Sequence, residues 1–490
     1  MFRYALASLN QKQIQLSRLG LNQLGHLLSL RTQVGAGICT QSAGRQSTMS
    51  HSIGVADAKG NSHGHIPARA FTSASADQAP VTDLVTAEDV MGAYERIRGI
   101  VAKSPLDYST RFSELTGSRV YIKKEHATSS TGSYKERGAL NKLLQLSDEE
   151  RRRGVICSSA GNHAQAVSYH ATRLGIDAVI CMPTTTPHVK VKNTAAFGGR
   201  VVIAGESFGE AYAFARRLCD HENRTFIHAF DDPMIVAGAG TVAVEMMEQN
   251  PFLDAIVVPV GGGGLIAGMA TFIKNVNPRI KVYGVEAAQM PGMYESLKHG
   301  HVVAVPKHST MADGIAIERI GQTPFDLIKK YVDDIVLVKE DEIAEAVLNV
   351  LELEKTLVEG SGATGLAALV SNKLPQLKGK KVGVVCTGSN IDINFLGRII
   401  EKGLVKSGRL ARIRVLIKDI PGQLARICSI CTELRVNIVE IRHERAFLLD
   451  TVGVTQPIFD VEVRGFDHID KLVDRLTQEG FETHVVTPYH

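Results

Sequence analysis

Short apolar runs alternate with helical patterns through most of this chain, and this alternation constrains its fold more than any other feature. The runs lie at 121–125, 154–159, 178–183, 200–205, 226–230, 255–260, 281–286 and 381–387. Runs that are apolar throughout are typical of parallel strands covered by helices on both faces. The sequence therefore predicts an α/β fold with parallel strands, in which functional residues follow the carboxyl ends of the strands.

The pattern changes near residue 406. The remaining residues predict a strand (412–418), a turn, a helix to about 434, two strands (437–444 and 457–465), a helix (469–476) and a last strand (483–486). This βαββαβ order is that of a ferredoxin-like domain, and the segment is long enough to fold separately. The predicted domain boundaries are 1–80, 81–405 and 406–490.

The first 55 residues contain five basic residues and neither Asp nor Glu. The basic residues are Arg3, Lys12, Arg18, Arg31 and Arg45. This composition is that of a transit peptide, so we expect import into an organelle, and the mitochondrion is the organelle we favour. A disordered extension is the alternative. Because residues 56–80 remain rich in Ser, Ala, Gly and His, everything before residue 80 is left out of the fold prediction.

Charge and cysteine content exclude several classes of protein. A net charge of +4, from 55 basic and 51 acidic residues, argues against a nucleic-acid partner. The seven cysteines show no dense spacing, so a secreted disulfide scaffold is not expected. We expect the protein to lie in a reducing compartment. No apolar run reaches the roughly 18 residues that a membrane span needs. The sequence predicts neither a membrane nor a nucleic-acid partner.

A glycine-rich turn follows the run at 255–260 and begins a helical pattern. Backbone amides of such a turn bind phosphate at a helix N-terminus. Gly262, Gly264 and Ala267 also fit the dinucleotide pattern G-x-G-x-x-G/A, and Glu286 stands 22 residues after Gly264, where a ribose-binding acid would lie. This stretch alone is compatible with a nicotinamide-dependent oxidoreductase, or with a merely flexible turn.

Two further segments carry candidate functional residues. Lys135 follows a Ser/Thr/Gly turn and precedes a helical pattern, where the helix dipole disfavours a cation. It is either a solvated cation or an amine that forms a Schiff base. Ser159, Gly161 and Asn162 follow the run at 154–159 and offer small residues and free amides to an anion. His163 alone would more often be structural.

Taken together, these segments resemble the pyridoxal-phosphate enzymes of fold type II, the tryptophan synthase β type, and among them the threonine/serine dehydratases. The matching motifs run in family order through nearly all of 85–400. They are SYKERGA around Lys135, SSAGNHAQA around Asn162, PTTTPHVKV (183–191), GESFGEA (205–211), VGGGGL (260–265), ADGIA (312–316), VEGSGATGLAAL (358–369) and CTGSNID (386–392). The resemblance implies a two-lobed parallel-sheet catalytic domain followed by a ferredoxin-like ACT domain, as in the threonine ammonia-lyases with one regulatory domain.

The resemblance also implies the roles of individual residues. Lys135 would bind the coenzyme covalently, and Tyr134 would pack beside its ring, where the family usually has Phe. Asn162 would contact the ring hydroxyl, and Gly314 and Glu359 would line the pocket. The phosphate would be bound by Gly261, Gly262, Gly263, Gly264 and Leu265. The substrate carboxylate would be received by Ser159, Ala160, Asn162 and His163. The partner of the pyridine nitrogen is expected to be Thr387, with Cys386 and Ser389 as alternatives, because the family's Ser-Gly-Gly-Asn is Thr-Gly-Ser-Asn here.

The implied reaction is dehydration and deamination of L-threonine to 2-oxobutanoate and ammonia, and of L-serine to pyruvate. Serine racemase shares most of the motifs and is the nearest alternative. Its second proton donor is a serine at the position of Ala160, and an acidic residue of its metal site corresponds to Gly292. Because a methyl group transfers no proton, the sequence favours the dehydratase. Because Gly292 replaces the acidic residue of the metal site, no metal is expected.

The expected regulatory site lies in the ACT domain, since such domains bind amino acids between paired copies. The matching residues are Asp419, Pro421, Gly422, Gln423, Leu424 and Asn437. We expect feedback by isoleucine or valine, in isoleucine biosynthesis, and a homodimer or tetramer. The alternatives are a domain that only pairs and binds no ligand, and a chain that senses an amino acid without catalytic activity. Cys428 and Cys431 have the spacing of a redox or zinc site but fall on an apolar helix stripe, so we expect packing.

Overall fold

The computed structural model describes residues 85–128, 130–444 and 453–486. The predicted transit peptide lies outside these residues. Two parallel sheets and one antiparallel sheet make up the fold. This confirms the predicted class, a two-lobed parallel-sheet catalytic part of PLP fold type II followed by a ferredoxin-like unit.

The larger parallel sheet has six strands in the order β1-β2-β10-β7-β8-β9. All neighbours pair in parallel except β1, which runs antiparallel to β2. The strands are β1 (Leu106–Tyr108), β2 (Arg119–Lys124), β7 (Ala255–Pro259), β8 (Lys281–Ala287), β9 (Asp334–Val338) and β10 (Lys381–Cys386). The sequence pattern indicated the inner strands and missed the two at the edges, β1 and β9.

The smaller parallel sheet has four strands in the order β5-β4-β3-β6. They are β3 (Val155–Ser158), β4 (Ala178–Met182), β5 (Arg200–Ile203) and β6 (Thr225–Phe226). The strand expected over 226–230 is wrong in its extent, because β6 ends at Phe226. The Ile227 amide still donates to Ile156 of β3, at 2.8 Å, but the carbonyl oxygens of Ile227 and Ala229 face His163 and Lys135 instead of a neighbouring strand.

Helices cover both parallel sheets and enclose separate apolar cores. In chain order they are α1 (Ala87–Ile97), α2 (Thr110–Thr116), α3 (Glu125–Thr128), α4 (Lys135–Leu144), α5 (Asp148–Arg153), α6 (Asn162–Arg173), α7 (His188–Ala196), α8 (Phe208–Glu222), α9 (Pro233–Gln249), α10 (Gly264–Val276), α11 (Gly292–His299), α12 (Gln322–Tyr331), α13 (Glu340–Asn349), α14 (Gly360–Val370) and α15 (Ile393–Lys406). A π-helical turn, Val350–Glu354, continues α13.

Helices α9 and α10 approach each other closely at a pair of glycines. A Cβ added at Gly268 would lie 2.2 Å from the carbonyl oxygen of Val236 and 2.8 Å from the amide nitrogen of Gly240. A Cβ added at Gly240 would in turn lie 2.8 Å from the carbonyl of Gly268. Because α10 begins at the glycine turn, this contact fixes the position of that turn against α9.

The C-terminal unit is an antiparallel sheet in the order β12-β13-β11-β14. Its elements are β11 (Leu410–Lys418), α16 (Gln423–Glu433), β12 (Asn437–Glu444), β13 (Val454–Glu462), α17 (Phe466–Gln478) and β14 (Glu482–Val485). This order of strands is the ferredoxin-like one. The domain boundaries that the sequence suggests, at 80 and 405, stay predictions.

The predicted regulatory residues surround the turn between β11 and α16. Gly422 has a φ of 95°, a conformation that favours glycine, and Gln423 begins α16. The side chain of Asn437 donates to Glu462 on β13, with 2.8 Å between Nδ2 and Oε2. The other members of this group are Asp419, Pro421 and Leu424, which lie in the same turn and the first turn of α16. Their regulatory role stays a prediction.

The two cysteines of α16 differ in burial. Cys431 is buried in the core of the unit, and burial raises the pKa of its thiol to about 11. Cys428 is only half-buried, and Ile430 lies in the core beside Cys431. The expected stripe therefore exists but is centred on Ile427, Ile430 and Cys431.

Among the described helices, none combines the length and apolar character needed to cross a membrane.

Candidate active site

A cavity of about 410 Å³ lies where strand ends of the two parallel sheets meet. Its walls include residues at the carboxyl ends of β3, β4, β7 and β10. The lining contains every residue that the sequence proposed for the cofactor and the substrate: Tyr134, Lys135, Ser159, Ala160, Asn162, His163, Gly261, Gly262, Gly263, Gly264, Leu265, Gly314, Glu359 and Thr387. The alternatives Cys386 and Ser389 are not part of it. The structure thus brings the predicted residues together, while their individual roles stay predictions.

Lys135 is the first residue of α4 and extends into the cavity. Its Nζ donates a hydrogen bond to the backbone carbonyl of Ala229, at 2.8 Å. The ring of Tyr134 lies beside the amine, with 5.2 Å from Nζ to the ring centroid. The side chain is therefore held by a neutral carbonyl and an aromatic ring.

A buried group of charges, here called the ion network, holds α4 in place. Arg137 on α4 bridges Glu125 and Glu245, with N–O distances of 2.8 and 2.7 Å, and Lys123 lies 2.6 Å from Glu245. All four side chains are at most 4% exposed. Burial lowers the pKa of Lys123, whereas Glu125 and Glu245 outweigh burial at Arg137 and raise its pKa.

The glycine turn Gly261–Gly264 forms one wall of the cavity, and α10 begins at its last residue. Gly263 has a φ of 93°, and a Cβ added at Gly262 would lie 2.2 Å from the ring of Phe230. Side chains are therefore excluded from the turn, so its backbone stays exposed to the cavity. Free amides at a helix N-terminus suit a phosphate group.

Glu359 receives hydrogen bonds from three sides. Asn162 Nδ2 and Ser361 Oγ donate to its Oε1, at 2.8 and 2.5 Å, and the amide of Asn390 donates to its Oε2 at 3.2 Å. Burial, with a further contribution from Asp313, raises the pKa of Glu359 to about 7. The carboxyl group fixes the orientation of Asn162.

Several buried polar atoms of the cavity wall have no hydrogen-bond partner in the described part of the chain. They are Ser158 Oγ, Asn162 Oδ1, His163 Nδ1 and Thr186 Oγ1. Burial, together with the charge of Lys135, lowers the pKa of His163 to about 3, so its ring is neutral near pH 7. Buried polar atoms without partners are costly, which indicates that this wall meets the polar groups of a bound molecule. With the glycine turn, these atoms fit a phosphorylated, oxygen-bearing cofactor.

The structure distinguishes among the three candidates for the pyridine nitrogen. Thr387 Oγ1 accepts a hydrogen bond from the amide of Tyr134, at 3.0 Å, so the hydroxyl proton remains available to the cavity. The thiol of Cys386 is buried outside the lining, and burial raises its pKa to about 12. Of the three candidates, Thr387 is the one that lines the cavity, and its role at the pyridine nitrogen stays a prediction.

Glu286 does not take the position of a ribose-binding acid. Both of its carboxylate oxygens accept backbone N–H groups at the start of α11, from Met293 at 2.9 Å and from Tyr294 at 2.8 Å. The side chain is buried and is not part of the cavity lining. The nicotinamide interpretation of the glycine turn is therefore left without its acidic residue.

Sequence reasoning did not single out some residues of the cavity. Lys190 on α7 forms an ion pair with Asp313, at 2.6 Å, and this pair joins two walls of the cavity. Phe208, Thr186 and Ser361 also line it. Lys190 and Asp313 lie in the motifs PTTTPHVKV and ADGIA, so the motifs contained the signal, but only the fold shows that the two side chains meet.

Comparison with known proteins agrees with this geometry. Residues 97–388 match the family model described as pyridoxal-phosphate dependent enzyme. An L-threonine ammonia-lyase from Thermotoga maritima is 43% identical over 403 residues, which is 82% of this chain and 100% of the relative. An L-threonine ammonia-lyase from Geobacter sulfurreducens is 41% identical over 392 residues, 80% of this chain and 97% of the relative.

A solved structure shares the same architecture. The processed form of threonine deaminase isoform 2 from Solanum lycopersicum superposes with a TM-score of 0.61 and 37% identity, covering 64% of this chain and 91% of that one. The family match covers more than half of the chain, and the Lys135 amine, the glycine turn and the unpartnered polar atoms suit the same coenzyme. This chain belongs to the family of pyridoxal-phosphate-dependent enzymes, and pyridoxal phosphate is its cofactor.

Proposed function

We propose that this enzyme dehydrates and deaminates L-threonine to 2-oxobutanoate and ammonia, and converts L-serine to pyruvate in the same way. One observation carries the proposal: the Lys135 amine shares a cavity with a phosphate-suited glycine turn, in a chain that is 43% identical to an L-threonine ammonia-lyase over the whole length of that relative. The remaining lining residues supply what such a reaction needs, namely groups that hold the coenzyme and groups that bind a small carboxylate.

Residues from three elements hold the coenzyme in this proposal. The amides of Gly261–Gly264 bind its phosphate, Asn162 binds the ring hydroxyl, and the Thr387 hydroxyl donates to the ring nitrogen. A hydroxyl partner leaves that nitrogen largely unprotonated, unlike a carboxylate. The coenzyme, when bound, withdraws electrons from the substrate Cα and so acidifies its hydrogen.

Lys135 moves the proton that starts the reaction. Its Nζ accepts the Cα proton of the substrate once the amine is free. The hydrogen bond to the Ala229 carbonyl keeps the free amine in the cavity. The loop that contains Ser159, Ala160, Asn162 and His163 binds the substrate carboxylate. The β-hydroxyl leaves with one proton as water, which balances the proton that Lys135 took from Cα, and an enamine remains. A water molecule hydrolyses the enamine to the 2-oxo acid and ammonia.

The decisive experiment is to reduce the holoenzyme with borohydride and map the coenzyme adduct by peptide mass spectrometry. We expect the adduct on Lys135, and we expect Lys135→Ala to lose both the adduct and ammonia release. Lys307→Ala is the matched control, because Lys307 lines the same cavity and should leave the adduct in place. An adduct on another lysine, or none, would contradict the proposed chemistry.

Serine racemisation is the second candidate, because maize serine racemase superposes with a TM-score of 0.62 and 32% identity over 66% of this chain. Ala160 lines the cavity where racemases carry a serine, so a second proton donor is missing at this position. We expect pyruvate from L-serine in large excess over D-serine. Ala160→Ser should raise the D-serine fraction in chiral chromatography, and an excess of D-serine from the unmodified enzyme would favour the racemase.

The C-terminal ferredoxin-like unit is proposed to be an ACT domain that senses an amino acid, with isoleucine or valine as effector in isoleucine biosynthesis. The turn from Asp419 to Leu424 and Asn437 at the start of β12 are the expected contacts. Because ACT domains act in pairs, a homodimer or tetramer is part of the proposal. Initial rates of the full chain should fall with isoleucine, and Gln423→Ala should weaken that response; rates insensitive to both amino acids would contradict it.

Mitochondrial import is proposed on the composition of residues 1–55. A fusion of residues 1–80 to a fluorescent protein should reach mitochondria in cells. A fusion in which Arg3, Arg18 and Arg31 are replaced by Glu is the control and should stay outside them. Cytoplasmic fluorescence of the unmodified fusion would contradict the proposal.

A further inference from the structure

The segment Ile227–Asp232, here called the return segment, leads the chain from β6 back to α9 and carries atoms of the active site. The Ala229 carbonyl accepts the hydrogen bond from Lys135, and the Ile227 carbonyl lies 3.0 Å from His163 Nε2. The ring of Phe230 packs against Gly262 in the phosphate-suited turn. A shift of this segment would therefore displace the amine and the turn together.

Beyond Ile227, whose amide still donates to the Ile156 carbonyl of β3 at 2.8 Å, side chains fix the return segment. Asp232 caps α9 by accepting the amides of Met234 and Ile235. Asp231 accepts the amides of Gln322 and Thr323 at the start of α12, at 3.1 and 3.0 Å. These two carboxylates hold the end of the segment that faces the helices, and β3 and His163 hold Ile227 at its beginning. Ala229 and Phe230, between them, need a support of their own.

His228 provides that support. Its Nδ1 accepts two backbone amides, from Asp231 at 2.8 Å and from Phe230 at 3.3 Å. Its ring also meets the Phe230 ring at a near-right angle, with 4.8 Å between centroids. His228 is not part of the cavity lining, so it acts through Ala229 and Phe230.

We infer that His228 is a positioning residue for the reaction, an inference that rests on the proposed function. Its Nδ1 must carry a lone pair, because both neighbours at that atom are N–H donors. The neutral ring with its proton on Nε2 holds the return segment, and protonation of Nδ1 places a third donor against two others. The Ala229 carbonyl and the Phe230 ring then lose their fixed position.

The charged and titratable groups around His228 come from several elements. Lys135 on α4, Arg216 and Tyr212 on α8, and the carboxylates of Asp231 and Asp232 face it, and His163 on α6 interacts with it electrostatically. Burial lowers the pKa of His228 below its ordinary value of 6.5, and the two cations assist, against the two carboxylates. The neutral form required for positioning therefore predominates at pH 7.

Two substitutions separate the acceptor nitrogen from the packing of the ring. His228→Phe keeps an aromatic ring and removes the acceptor, whereas His228→Asn removes the ring and places Oδ1 near the position of Nδ1. We expect His228→Phe to lower kcat about 100-fold, the effect of a displacement of about 1 Å at a reacting group, with a small change in KM. His228→Asn should recover most of that loss. His221→Phe, on the exposed end of α8, is the control and should leave kcat unchanged.

The pH profile and amide exchange test the mechanism of the effect. The acid limb of kcat in the wild type should include a group below pH 6.5, and His228→Asn should lose it. In the coenzyme-free full chain, hydrogen exchange of the Phe230 and Asp231 amides should accelerate in His228→Phe and stay slow in His228→Asn.

The outcomes separate the two proposals. If His228→Phe is as active as the wild type, or if its two amides exchange as slowly, the role of His228 is refuted. If the wild type turns over neither L-threonine nor L-serine, the proposed function fails. In that case the exchange difference between the Phe and Asn variants still decides whether His228 holds the return segment.

Discussion

At the scale of single residues, the ion network around Arg137 shows how charges in the interior support the active site. Glu245 faces both Lys123 and Arg137, so its loss leaves two cations with one carboxylate in a dry environment. Breaking a buried ion pair by removing one partner costs about 3–5 kcal/mol. Because Arg137 lies two residues after Lys135, disorder there would reach the reacting amine.

We therefore expect Glu245→Gln to lower the free energy of unfolding by about 3–5 kcal/mol in urea titrations. Glu248 lies on the same helix and pairs with Lys103 at the surface, at 2.7 Å. Glu248→Gln is the matched control and should cost about 1 kcal/mol or less. Equal losses in the two variants would contradict the importance assigned to burial.

Glu359 gives stability a dependence on pH. Its pKa is raised from 4.5 to about 7, so the folded chain binds its proton more tightly than the unfolded one. The stabilisation is complete below about pH 4.5 and is lost as pH rises through about 7. Relative to Glu359→Gln, the coenzyme-free wild type should lose up to about 3 kcal/mol between pH 4.5 and 8, measured by urea unfolding. A constant difference across this range would refute the shift.

Local patterns singled out Lys135 and Asn162, each near a turn that precedes a helix, whereas the resemblance to fold type II supplied Thr387. The sequence did not predict the Lys190–Asp313 pair or the function of His228. These depend on distances between segments that are remote in sequence, or on a backbone path that leaves a sheet early, and neither leaves a periodic pattern.

At the scale of elements, the contact between α9 and α10 depends on two glycines that a larger residue cannot replace. A methyl group at Gly268 would be forced against backbone atoms of α9, which cannot move like a flexible side chain. Overpacking of this kind costs about 1–3 kcal/mol. Since α10 carries the phosphate-suited turn, the cofactor should be affected as well.

We expect Gly268→Ala to lower the free energy of unfolding by about 1–3 kcal/mol and to weaken coenzyme binding in fluorescence titrations. Gly397 is the control, since it lies in α15 with nothing within 4 Å of an added Cβ. Gly397→Ala should stabilise the chain by about 0.5–1 kcal/mol, because it removes conformational freedom from the unfolded state. A stable Gly268→Ala variant would show that the helices can separate.

Edge and shortened strands explain the differences between prediction and structure at this scale. β1 has three residues, and β9 lies between charged residues that shorten its apolar run, so neither has the signature of an inner strand. The pattern at 226–230 looks like a strand because four of its five residues are apolar. Two of them are needed at the active site instead, Ala229 for its carbonyl and Phe230 for its ring.

At the scale of the whole molecule, the C-terminal unit has a core of its own. The residues of that core all follow residue 410, and no core cluster of the parallel-sheet part extends past Ile399. An ion pair between Arg409, just before β11, and Glu352, in the π-helical turn, links this unit to the parallel-sheet part, at 2.8 Å. Removal of the unit therefore opens no apolar core of the remainder.

A chain that ends at Ser407 should keep ammonia release from L-threonine and lose any response to isoleucine. Steady-state rates with and without isoleucine measure both properties, and the full chain with Gln423→Ala is the matched comparison. Loss of all activity in a truncated chain that still binds coenzyme would show that the unit supports catalysis directly.

Sheet order is the part of the fold that composition and periodicity alone did not predict. β10 inserts between β2 and β7, so residues 381–386 pair with residues 119–124. Pairing over such a separation leaves no local signal, whereas the βαββαβ order near the C-terminus does, because each of its elements directly follows the last. The resemblance to fold type II supplied the two-lobed arrangement that local patterns could not.

The smaller parallel sheet is made from one uninterrupted stretch, from β3 to β6, bounded by Lys135 on one side and the return segment on the other. Two crossover points in a gene would thus be enough to exchange this block between relatives. The exchanged block would bring the substrate-facing residues from Ser159 to His163 and Thr186 with it, and leave the glycine turn, Glu359 and Thr387 behind. The substrate-facing loop can in this way diversify in descendants of one ancestral gene while the phosphate-suited turn and Thr387 stay the same.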